Sequence, residues 1–206
     1  MIKETLNHHL SSARAVFKGL PYWVWPLPLI LAQIILILLH TPLGWITEKP
    51  VQEIVAPVVI GIAAIMSFFV HRWVNETFTL LLAFFTWTLF VRELHFYGTN
   101  NGAYIAIALL AWLASSKRDA FNEYLRWLSV RALLGGSMLT YIVTKVLDRG
   151  YLSFLPEYSN WNSNVEESLE TCGHLMVLAL VVVTLRIGSA RIGARLTDNL
   201  KVSGDQ

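Results

Sequence analysis

The chain has 206 residues, of which 55% are hydrophobic and only 15% charged, against roughly 25% charged residues in an ordinary soluble domain. That balance, with eight Trp, seven Tyr and ten Phe, excludes a water-soluble fold, and it excludes disorder, which needs low hydrophobicity and high net charge. The single cysteine, Cys172, excludes a disulfide framework, and a net charge of +2 is too small to point to nucleic acid.

In chain order, Leu6, Leu10, Ala13, Val16, Phe17 and Leu20 recur at helical spacing with Lys3, Arg14 and Lys18 between them. This predicts an amphipathic helix over 1–20 that lies in the membrane interface, either as an anchor or as a dock for a protein partner. Six apolar stretches follow, near the length a membrane-spanning helix requires. They cover about Tyr22–Leu39, Ile54–Val70, Phe78–Val91, Ala103–Ala114, Tyr124–Leu147 and Leu169–Leu185. The first is too long for a leader's apolar core, contains Pro26 and Pro28, and ends in Leu-His-Thr-Pro, so it reads as a retained span. The run Trp161-Asn-Ser-Asn reads as a polar outer loop, and the helix of the last span is expected to continue past Arg186 into a tail.

Lys and Arg in short loops set orientation. With the amino terminus inside, twelve of the 16 basic residues fall on the inner side, leaving Lys49, Arg92, Lys145 and Arg149 outside. The reading is therefore an all-α membrane protein of one domain, with six transmembrane helices over 21–187, both termini cytoplasmic and a cytoplasmic tail over 188–206. The basic inner face and lone thiol fit a bacterial inner membrane.

The same topology puts eight acids on the outer side, concentrated at the start of the last span. On a wheel at about 100° per residue, Glu166, Glu170 and His174 share one face, and Cys172 points away from it. His174 lies a turn inside an apolar run, and leaving a charge unpaired at such a place costs roughly 2.5–3.5 kcal/mol. On the fifth span Ser137, Tyr141, Thr144 and Asp148 form a polar stripe with Lys145 beside it, and the third ends in Arg92-Glu93-Leu94-His95. Three helix ends thus each bring a carboxylate to the outer side, and two bring a histidine.

Imidazole and carboxylates are ligands for a divalent metal, zinc first, and such an ion activates water or polarises an ester or phosphate. The expected metal ligands are His174, Glu170, Glu166, Glu93 and His95. The expected catalytic residues are His174, Glu170 and Asp148, with Arg149 and Arg92 as contacts for an anionic headgroup. The function that follows is a metal-assisted hydrolase or transferase acting on a membrane lipid or a lipid-linked substrate. Two alternatives stand beside it. One is a proton- or cation-coupled transporter, which the apolar run Leu175–Leu185 does not favour. The other is a non-catalytic subunit or assembly factor with a protein partner on its acidic outer face.

Overall fold

The computed structural model describes residues 19–94 and 99–204, together with Ser11. Of the helix expected over 1–20 only Ser11, Gly19 and Leu20 are among them, and His95 lies outside them. The chain is all-helical, 85% helix, with no strand among the described residues.

A turn of 3₁₀ helix, Tyr22–Val24, leads into α1 (Leu27–Leu39), whose Pro28 sits in the first turn where no backbone hydrogen bond is lost. A second such turn, Gly44–Thr47, leads to α2 (Lys49–Val74), with Pro57 in its interior. Asn75 stops α2 in the left-handed conformation (φ 53°) and donates its N–H to His71 O at 2.7 Å. Glu76 and Thr79 then cap each other reciprocally to open α3 (Thr77–Glu93). The remaining helices are α4 (Thr99–Ser116), the short α5 (Arg118–Leu125), α6 (Leu128–Asp148) and α7 (Tyr158–Gly204). Helix α7 packs along both α2 and α6, and α2 also packs on α3.

Two boundaries differ from expectation. Tyr124 does not open the fifth span: it belongs to α5, stacked on Phe78 at 4.2 Å with the Arg191 guanidinium 4.9 Å from its ring. Burial, and then the Glu76 carboxylate, push its phenol well above the usual range. The second difference is that Trp161-Asn-Ser-Asn is not a loop but lies within the first two turns of α7. Trp161 and Tyr158 pack against Leu147 and Val165, and the Asn164 side-chain oxygen accepts the Lys49 N–H at 3.0 Å, so tertiary contacts override the polar composition.

Among the described residues, four helical segments are long and apolar enough to cross a membrane: Tyr22–Leu39, Lys49–Val74, Leu128–Asp148 and Tyr158–Ala194. Gly102–Ser116 is a shorter apolar helix, and α3 has 17 residues. The exterior is strongly apolar, and the interior combines an apolar core with buried polar side chains. Ile30, Ile34, Ile62, Ile65, Phe69 and Trp73 are exposed, whereas Ser67, Thr86, Ser137, Thr140, His174 and Thr184 are buried. An apolar exterior around a hydroxyl-lined interior suits a hydrocarbon solvent, in which polar groups seek one another.

Candidate metal centre

Helices α3 and α7 bring three ligand-bearing side chains to one end of the bundle. Glu93 comes from the last turn of α3, while Glu170 and His174 are one turn apart on α7. All three are buried, His174 completely, and one potential ligand atom of each lies within 4.8 Å of the others. His174 Nε2 faces Glu93 Oε1 at 3.4 Å and makes no hydrogen bond among the described residues. Its other ring nitrogen, Nδ1, is 2.7 Å from the Tyr141 hydroxyl of α6. That contact depends on Gly173, because a Cβ there would meet Tyr141 Cε1 at 2.8 Å.

Arg92 closes the group. Its Nη1 is paired with Glu170 Oε1 and lies 3.6 Å from Glu93 Oε1, and its side chain is 14% exposed. Two carboxylates and one guanidinium leave one net negative charge when the imidazole is neutral. Burial among apolar helices disfavours that charge, and a cation held there would offset it. Arg92 occupies only part of the lone-pair capacity of Glu170, since a carboxylate offers about four acceptor sites on two oxygens.

Of the expected site residues, the structure thus gathers Glu93, Glu170, His174 and Arg92. Glu166 and Asp148 stand outside this group. Asp148 is exposed and paired with Lys145 of its own helix at 2.9 Å, and Glu166 sits one turn further from His174 than Glu170 does. Arg149, at the exposed end of α6, is likewise not drawn in. Arg92 is placed as the partner of Glu170 rather than as an open contact for a headgroup. Tyr141 was legible only as one position in the polar stripe of α6, and Gly173 carried no signal.

No protein-family model, no curated protein and no solved structure matches this chain.

Proposed function

We propose that this is a six-span inner-membrane protein whose Glu93–Glu170–His174 centre binds a divalent cation, zinc first, and uses it on a lipid or lipid-linked substrate by hydrolysis or group transfer. The observation that carries the reading is the convergence of three buried ligand atoms, with Nε2 of His174 directed at Glu93 and Nδ1 held by Tyr141. A ligating histidine characteristically has its second nitrogen held in this way. Nδ1–H donating to the hydroxyl oxygen leaves the Nε2 lone pair for a metal.

Support for α3 as a span comes from its ends. Ion pairs with α7 mark both: Glu76 with Arg191 at 3.0 Å, and Arg92 with Glu170. The 17 residues of α3 rise about 25 Å, close to the ~30 Å hydrocarbon thickness. Helix α4, with a shorter apolar stretch, completes the count of six. The basic residues orient the Arg191 end inward and the Glu93 end outward.

A bound divalent ion supplies an activated water or a polarised substrate oxygen. The residues around it hold their positions by direct contact: Tyr141 orients the imidazole, and Arg92 fixes the Glu170 carboxylate. Metal analysis of the purified protein tests the reading. Stoichiometric zinc is expected in the wild type and should be lost in both His174→Ala and Glu170→Gln. A metal-free wild type after preparation with zinc present, or full retention in both variants, would overturn it.

A further inference from the structure

The core between the two ion-paired ends contains a file of polar side chains that leads up to the metal centre. On α3, Thr79, Thr86 and Glu93 recur every seven residues, which keeps them on one face. On α7, Glu170, Val177, Thr184 and Arg191 recur at the same interval. The side that this stripe presents is known from its neighbours. Glu170 meets Arg92, Val177 packs with Ile60, Ala63 and Leu89, and Arg191 meets Glu76. Thr184, between Val177 and Arg191, therefore looks into the seam of α2, α3 and α7.

Each level of the seam has its chemistry. At the Arg191 end, Arg191 is paired with Glu76 and Glu123 and covers the Tyr124 ring. Next, His71 Nδ1 lies 3.1 Å from the Thr79 hydroxyl. Further in, the Ser67 and Thr86 hydroxyls are 2.7 Å apart, both buried. By its register on α7, midway between Val177 and Arg191, Thr184 falls between these levels; it is fully buried, and its hydroxyl has no hydrogen-bond partner among the described residues. An unsatisfied hydroxyl in a packed core is costly unless something visits it. Beyond Ser67 and Thr86 comes a single apolar layer of Ile60, Ala63, Leu89 and Val177, and beyond that Glu93 and His174.

We propose that this seam is a proton path leading from the Arg191 end of the bundle to the Glu93–His174 centre, with the apolar layer as its gate. Hydroxyls both donate and accept, so Thr79, Thr184, Ser67 and Thr86 provide successive stations for a proton carried on transient water, with His71 at the entrance. The layer around Val177 obstructs the path by excluding water, as hydrophobic constrictions do in channels. The path is a function distinct from metal binding.

Proton flux into proteoliposomes, driven by a potassium diffusion potential and read with an internal pH dye, tests it in a Val177→Ser background that wets the layer. Val177→Ser is expected to conduct protons above protein-free vesicles. Adding Thr184→Val should reduce that flux about ten-fold, the factor one lost hydrogen bond contributes to a barrier. Adding Thr184→Ser instead, which restores the hydroxyl, should leave it within about two-fold. An absence of flux in a folded Val177→Ser protein, or a flux indifferent to Thr184→Val, would overturn the path. Zinc content should be unchanged in Thr184→Val, so the path and the metal centre fail separately.

Discussion

Arg92→Met is expected to cost about 3–5 kcal/mol of stability, because it leaves two carboxylates buried with no guanidinium between them. Both partners are well shielded, with the Arg92 side chain 14% and the Glu170 side chain 7% exposed. For a chain of this size the loss corresponds to a fall in Tm of order 10 °C, read by thermal denaturation in detergent with a chelator present. The double variant Arg92→Met/Glu170→Gln should recover most of it, since the pair is then replaced by neutral groups rather than broken. A single variant that melts with the wild type would mean that the carboxylates are already neutral, and the electrostatic account of the centre would fall. Repeating the melt with excess zinc adds a second arm: a cation bound beside Glu170 should restore part of the lost stability to Arg92→Met.

Tyr141→Phe isolates the role of the phenol. The substitution keeps the ring, which lies 5.6 Å from the imidazole, and removes only the hydroxyl that contacts Nδ1. Leaving Nδ1 buried without a partner should destabilise the fold by about 1–3 kcal/mol. Removing the outer partner of a ligating histidine should weaken zinc binding by roughly 10–100-fold. Competition against a chelator of known affinity measures the second quantity. A stability loss with unchanged zinc affinity would mean that His174 is a packed core residue and not a ligand. Gly173 supplies an independent lever on the same contact, since any side chain there displaces the phenol without altering its chemistry.

What the sequence discloses of this protein follows from which forces are local. The helical, membrane-compatible character is a matter of composition and period, and it is written in every stretch from Tyr22 to Leu185. The shared face of Glu170 and His174 follows from helix geometry alone. Local pattern fails where a distant partner decides the outcome. Trp161-Asn-Ser-Asn has the composition of a loop, but Trp161 packs on Leu147 and Asn164 caps a backbone N–H of α2, so the segment winds into α7. Arg92 and Glu170 are 78 positions apart, and nothing near either one announces the other. The same holds for the Tyr141–His174 contact, which needs a missing Cβ at Gly173 as well as two polar groups. The hydroxyl file was readable in principle, because its seven-residue interval is printed in the chain. A hydropathy reading of Leu175–Leu185 averages Thr184 away.

Helix α7 runs unbroken for 47 residues and carries Glu170 and His174 near one end and Arg191 near the other. Every residue inserted into or removed from it between His174 and Arg191 turns one end by about 100° relative to the other. A single deletion near Leu180 would therefore swing Arg191 off Glu76, or the carboxylate and imidazole off Arg92 and Tyr141. A seven-residue insertion, nearly two whole turns, would preserve the angular phase and change only the length. The stretch behaves like a key with teeth cut at both ends of one shank: point substitutions in its apolar middle alter local fit, but changes in register are felt at both ends at once.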